Sequence, residues 1–415
     1  MEIKQIHAIL DTALSETIGK QELTVEDLTN VVDSGFKLAD IANKITNGNM
    51  VDAYVHSLIN HIGKVIFDNR SYASRAPSIL MDSWEYGSVV EKIRGELPES
   101  EDNPSYNLVN GKSYDPHVFT EPKAHTKFFN KKETYQIPMS FAKKQVKMSF
   151  SNATQLNAFF SMIENRIRVR KTIDIDNLIM RAINNFIGGT IYADYKTGTG
   201  TTMTDLGSKS GMRAINLLYL FNKQNILTTD LKAADCLFNL EFLKFASFVI
   251  NRYISRIKDA TTLFNVGGTV KFTPVNLQKC VLLSDFVQAA GSYLQSDTWH
   301  NEFTKLPSAE TINFWQGTGR KYGFSSISKI NVTVLDPTAA EGTTPGKVTI
   351  ATDGILGVIF DRDAVGVSNV EDYATSERNN LAEFTNTWYK YEASYFNDFD
   401  ENGIVFFVKD APAAG

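Results

Sequence analysis

Two glycine-rich stretches, Asp194-Tyr-Lys-Thr-Gly-Thr-Gly200 and Gly317-Thr-Gly-Arg-Lys-Tyr-Gly323, are the segments that most resemble phosphate loops. Backbone N–H groups in such loops cradle phosphates when a lysine and a hydroxyl residue close the motif. Neither stretch has that ending, and the second spaces its glycines one residue too widely for a dinucleotide fingerprint. Turn glycines are the simpler reading. His56 and His61 fall on an expected helix at a spacing that shares no face, which argues against a metal pair. His117, His125 and His300 lack a cysteine or carboxylate at ligand spacing. Asp361 and Asp363 flank Arg362 at an expected strand end, a trio that reads as a solvated turn or an interface ion pair before it reads as a carboxylate dyad. No Gly-x-Ser-x-Gly elbow occurs, and neither Cys236 nor Cys280 has a histidine nearby in sequence. The expectation is a protein without catalytic, cofactor or metal residues, so not an enzyme.

What remains is charge that could meet another surface. Glu96, Glu99, Glu101 and Asp102 cluster around a polar tract, while Lys123, Lys127, Lys131, Lys132, Lys143 and Lys144 follow it. The basic run is the one candidate nucleic-acid patch. A formal net charge of -5 argues instead for a charge-decorated arm, because a dedicated nucleic-acid binder needs a basic surplus. At 415 residues, with 43% hydrophobic and 21% charged residues, the chain has the composition of a soluble protein of one to three domains. No apolar run reaches membrane-spanning length, and Met1-Glu-Ile-Lys leads into no secretory signal. Cys236 and Cys280 sit in apolar contexts and read as small buried hydrophobes of a reducing compartment.

Those charges need elements to hold them. Residues 1–70 read as helical, with stripes through Ile6, Leu10 and Leu14 and through Val55, Leu58, Ile59 and Ile62. Residues 71–150 read as a long hairpin. One leg contains Val89, Val90, Ile93 and Leu97, and the other runs from Phe128 through Tyr135, Ile137, Met139 and Phe141 to Phe150. Pro98 to Ser105 form its tip. From Ser151 the period becomes 3.6: Asn152 and Gln155 open a helix through Leu156, Phe159, Ile163 and Ile167. A second helix is expected from Asp174 and Asp176, stopped by Gly188-Gly189. Thr197 to Thr202 read as a joint, followed by helices near 210–223 and 230–256, a strand over 279–283 and a helix near 286–294. Strand-like segments at 311–334 and 347–360 bracket an exposed loop over 336–346.

The C-terminal text is the most specific. Gly354-Ile-Leu-Gly-Val-Ile-Phe-Asp-Arg-Asp-Ala-Val-Gly-Val367 reads as a strand pair, Trp388 to Phe396 as an aromatic strand, and Ile404-Val-Phe-Phe-Val408 as a final strand. Period two puts Tyr389, Tyr391 and Tyr395 on one face, with Lys390, Glu392 and Ser394 on the other. This ending resembles that of tailed-phage major capsid proteins of the Hong Kong 97 (HK97-like) fold. The start of the hairpin, Trp84 to Ile93, resembles short-tailed phages of the Picovirinae type.

The resemblance implies an α+β fold with named parts: an N-terminal arm (1–70), an extended loop (71–150), a spine helix with the first part of a peripheral domain (151–200), an axial domain (201–365) and peripheral-domain strands with the tail (366–415). It implies a self-assembling shell subunit, in hexamers and pentamers, of an icosahedral head around double-stranded DNA. Its partners would be itself, scaffolding, portal and head-accessory proteins, and packaged DNA by proximity, with no membrane; its place would be the virion, after assembly in the host cytoplasm. Glu96, Glu99, Glu101, Asp102, Lys131, Lys132, Lys143 and Lys144 are then the expected inter-subunit contacts. A phage tail or surface-binding structural protein with α/β modules is the alternative.

Overall fold

The computed structural model describes residues 72–81, 90–117, 119–142, 153–196, 203, 205–297, 306–316, 323–339 and 343–412. The expected arm over 1–70, the joint at 197–202, most of the second glycine stretch, His56, His61, His300, Lys143 and Lys144 lie outside the described residues.

In chain order the elements begin with β1 (Leu80–Met81), β2 (Val90–Gly95), β3 (Ala124–Phe129) and β4 (Lys132–Ala142). A 43-residue helix, α1 (Ala153–Tyr195), follows. Next come β5 (Ala214–Asn216), α2 (Leu217–Lys223), α3 (Leu240–Arg256), β6 (Gln278–Leu283) and α4 (Ser284–Asp297). Then follow β7 (Glu310–Ile312), α5 (Phe324–Ile327), β8 (Ile330–Leu335) and β9 (Lys347–Thr352). The order ends with β10 (Ile355–Asp361), β11 (Val365–Asn379), β12 (Phe384–Asn397) and β13 (Gly403–Phe407). The mixed α+β composition expected from the sequence is present.

Two compact units divide the chain. One comprises Met1–Ser71, Ser140–Val169 and Glu377–Asn386. Within it the Phe141 and Phe160 rings lie 5.9 Å apart, Ser140 donates to Asn386 Oδ1 at 2.6 Å, and the Asn379 side chain closes a turn by accepting from the N–H groups of Leu381 and Ala382.

The other unit holds the main core. Its five-stranded sheet has the order β5-β13-β10-β6-β7. Val358 of β10 pairs with Val405 of β13 on one side and Val281 of β6 on the other. All residues of β10 and β13 are buried, which is why both read as continuous apolar runs and not as alternation. The later turns of α1 pack on this sheet through Phe186 against Phe360 (5.7 Å) and Tyr195 against Phe407 (5.8 Å). β8 and β9 alternate buried and exposed residues as a hairpin, and Val332, Val334, Val348 and Ile350 close a smaller cluster on Tyr192.

Four expectations are corrected here. The two helices predicted across 152–187 are one, and Gly188-Gly189 do not stop it. Asp174 and Asp176 serve not as helix-start charges but as lateral anchors. Asp174 accepts from the Tyr391 hydroxyl at 2.5 Å, and Asp176 accepts from Tyr72, Ser74 and the Arg75 N–H. The two glycines give clearance: a Cβ on Gly188 would overlap Val332, and one on Gly189 would overlap the Phe399 ring. Second, the helices expected at 210–223 and 230–256 begin later. Residues 214–216 form β5 beside β13, and Ala233–Phe238 wind as a 3-10 turn. Extended Asn216 and Asn239 then cap α2 and α3 by accepting from Tyr219 N–H (3.2 Å) and Phe242 N–H (3.0 Å). Third, the strand pair read at 354–367 is split between sheets, because β11 belongs to a four-stranded sheet of order β1-β11-β12-β4. Fourth, the hairpin's return leg divides: β3 pairs with β2, whereas β4 leaves to join β12.

Tyr391 and Tyr395 are buried as the alternation on β12 implies, with Tyr391 stacked on Tyr135 at 4.9 Å. Tyr389 is half-buried, and Ser394 is buried as well because its hydroxyl donates to the Lys131 carbonyl at 2.8 Å.

Candidate inter-subunit interface

The ribbon formed by β2 and β3 is the most uncovered part of the described chain. Its antiparallel ladder runs from Val90↔Phe129 to Gly95↔Ala124, and one more bond, Glu96 N–H to the Lys123 carbonyl at 2.9 Å, continues it. Beyond that the described residues from 97 to 122 are all exposed. Many are apolar: Tyr106 is 91% exposed, Phe119 83%, Leu108 66% and Val109 60%. Single exposed apolar residues are ordinary, but a group of this size on one excursion marks a surface that another molecule covers.

The root of the ribbon is different. β2 alternates strictly, turning Val90, Lys92 and Arg94 inward and Glu91, Ile93 and Gly95 outward. The inward cations meet the turn after β12. Lys92 Nζ lies 2.8 Å from Asp398 Oδ2 and 2.7 Å from Glu401 Oε1, and it donates to the Asp363 carbonyl at 3.0 Å. Arg94 reaches Asp398 at 3.3 Å and also pairs with Glu401. From β3, Lys127 lies 3.2 Å from Asp398 Oδ1 and pairs with Asp400. Lys271 adds a fourth cation 3.3 Å from Glu401.

The Asp398 side chain has no exposed surface. Burial opposes its ionisation, but Lys92 and Lys127 outweigh that and hold the carboxyl below the ordinary aspartate range. Glu401 is likewise disfavoured by burial and held down by Lys92, Arg94 and Lys271. A cleft of about 570 Å³ lies between this root and the loop carrying Val270, Lys271 and Phe272.

Those of the predicted contact residues that are described do not converge on one patch. Glu96 sits at the edge of the root, 2.6 Å from His125 Nε2, while Glu99, Glu101 and Asp102 are exposed near the tip. Lys131 and Lys132 are not on the ribbon. The Lys131 ammonium sits over the Tyr395 ring, where burial and neighbouring Arg181 keep it below the ordinary lysine range. Lys132 lies 3.8 Å from Glu392. Much of the basic leg thus faces carboxylates or rings of its own chain.

The cluster of Lys92, Arg94, Lys127, Asp398, Asp400 and Glu401 was missed in the sequence. The inward period-two placement of Lys92 and Arg94 is a signal that could have found it. Asp361, read as solvated, is buried; burial raises its pKa although Thr273 donates to it at 2.7 Å. Cys236 and Cys280 are free, and burial pushes both thiols up. Among the described residues no group of His, Cys, Asp and Glu could hold a metal ion, and no helix is long and apolar enough to cross a membrane.

A packed body that projects an uncovered apolar ribbon is a building block, completed by what it joins. The chain belongs to the family of Phi29-like phage major capsid proteins, whose model matches residues 6–407. It is a structural subunit of a phage capsid. Among solved structures, the Staphylococcus phage Andhra capsid is similar at 9% identity, with a TM-score of 0.49, over 84% of this chain and 87% of that one. A chain from the structure of the head fiber and inner core protein of native bacteriophage P68 is similar at 10% identity and a TM-score of 0.46, over 84% and 88%. For the bacteriophage PhiM1 mature capsid the values are 10%, 0.41, 84% and 91%. No curated protein sequence matches.

Proposed function

We propose that this subunit closes into five- and six-membered rings of an icosahedral head around double-stranded DNA, and that its ribbon lies over the neighbouring subunit. The uncovered segment from 97 to 122 carries this reading. A two-stranded ribbon is marginal in water, so its apolar residues gain most by contact with a second copy. Contacts between an arm and a different patch are heterologous and generate rings. Glu99, Glu101 and Asp102 at the tip would set register more than strength, since exposed ion pairs contribute roughly 0–1 kcal/mol each. Weak contacts suffice when each subunit touches several others, because effective concentration multiplies them. The net charge of -5 suits a wall that lines packed DNA without gripping it. Scaffolding, portal and head-accessory proteins would join during assembly in the host cytoplasm, and no catalysis is required.

Replacing residues 97–122 with a short Gly-Ser link tests the ribbon's role. The variant is expected to be soluble and folded, with the thermal transition of the parent, and to form no particles under negative-stain microscopy. Normal particles from that variant would refute the arm's function.

A further inference from the structure

The ribbon has two parts with opposite chemistry: an apolar, uncovered end and a root held by charge. At the root, cations come from three segments: Lys92 and Arg94 on β2, Lys127 on β3, and Lys271 on the adjoining loop. The carboxylates of Asp398, Asp400 and Glu401 all come from one turn between β12 and β13. His125 and Glu96 flank the set from the ribbon side, and Asp361 and Asp363 from the end of β10.

Paired buried charges add little net stability, yet they penalise misplacement steeply, because a shifted partner leaves a carboxylate desolvated and alone. Asp398 is the sensitive member, since its side chain has no water to fall back on. A ribbon turned away from this turn would strand it. Among the described residues past Gly95 and Ala124, none pairs with this turn, and all of those from 97 to 122 are exposed.

We propose that the Asp398–Glu401 turn is an electrostatic clamp that fixes the direction of the ribbon root in the free subunit, leaving the segment beyond Gly95 and Ala124 as the adaptable end. The clamp is internal to one chain, so it stands whether or not the ribbon meets a neighbour. It presents the end to a partner already aimed, and confines adjustment to the last part.

Spin labels on the full-length free subunit test this by pulsed electron spin resonance. One label goes at Ser255→Cys on α3, the second at Ile93→Cys on the outward face of the root or at Tyr106→Cys on the end. Cys236 and Cys280 stay in place, and the parent without added cysteines is labelled in parallel to show that neither takes up the label. The Ile93→Cys pair is expected to give a narrow distance distribution and the Tyr106→Cys pair a broad one. Lys127→Asp, which sets a carboxylate against Asp398, is expected to abolish the narrow peak. Adding Asp400→Lys, at a side chain with some exposure, is expected to restore it. A broad distribution from Ile93→Cys in the parent, a narrow peak that survives Lys127→Asp in folded protein, or a charge-swapped variant that stays broad each overturns the clamp. If Lys127→Asp alone does not fold, the charge-swapped variant decides by itself.

Discussion

Asp398, whose side chain has no exposed surface, is surrounded by Lys92, Arg94 and Lys127, so its ionised form depends on them. Removing the carboxylate leaves three cations partly buried without their shared partner; Asp398→Ala is expected to destabilise the body by about 3–5 kcal/mol in denaturant unfolding. Lys127→Ala, at a side chain that is 44% exposed, should lose no more than about 1 kcal/mol. Protons act on the same set. Asp398 and Glu401 are held below their ordinary range, so their contribution is complete above the unfolded carboxylate pKa of about 4 and fades as pH falls through their folded values. Asp361, raised by burial, works in the opposite direction and protonates first. Asp336, which Thr338 and Lys196 hold down against burial, makes three depressed carboxylates against one raised, and predicts a net loss of thermal stability on going from pH 7 to strongly acidic buffer. A melting temperature that rises with acid would contradict the pairing. At the other anchor, Tyr391→Phe removes the donor to buried Asp174 and is expected to cost about 1–3 kcal/mol by the same measurement.

The helix α1 shows both what a sequence displays and what it conceals. Its stripe through Ile163, Ile167, Ile179, Ile183 and Phe186 follows local periodicity and was legible. Its continuity through Gly188-Gly189 was not, because a glycine that ends a helix and one that admits a neighbour look alike in text. The difference lies in Phe399, more than 200 positions away, whose ring stacks on Phe186 at 5.5 Å and fills the space a Cβ at 189 would take. Alanine normally improves a helix over glycine by about 1 kcal/mol. Here overpacking of about 1–3 kcal/mol opposes that gain. Gly189→Ala is therefore expected to destabilise, because its Cβ would meet two atoms of the Phe399 ring at once. Equal or raised stability for Gly189→Ala would show that the ring yields. The ribbon teaches the same lesson: its two legs and polar tip were visible in turn residues and alternation. At the partition of its return leg between β3 and β4, Tyr135 of β4 stacks on Tyr391; the ribbon's own root pairs span at least 271 positions, so alternation marks Lys92 and Arg94 as inward but does not name their carboxylate partners.

Taken together, a core that satisfies its own apolar groups and a ribbon end that does not make stability and assembly separable properties of the subunit. Leu108→Asp combined with Val109→Asp should leave the thermal transition of the body within experimental error, since exposed substitutions shift stability by about 0.5 kcal/mol or less. The same pair is expected to abolish particles; particles of normal yield would place the partner surface elsewhere on the chain. β13, finally, lies between β5 and β10 in the five-stranded sheet, so the strand translated after all the other described ones is the one that bridges that sheet's two sides. A ribosome that stalls even a dozen codons short of it would release a polypeptide unable to close its body. Incomplete chains would thus be barred from the container by their own failure to fold, with no separate inspector needed.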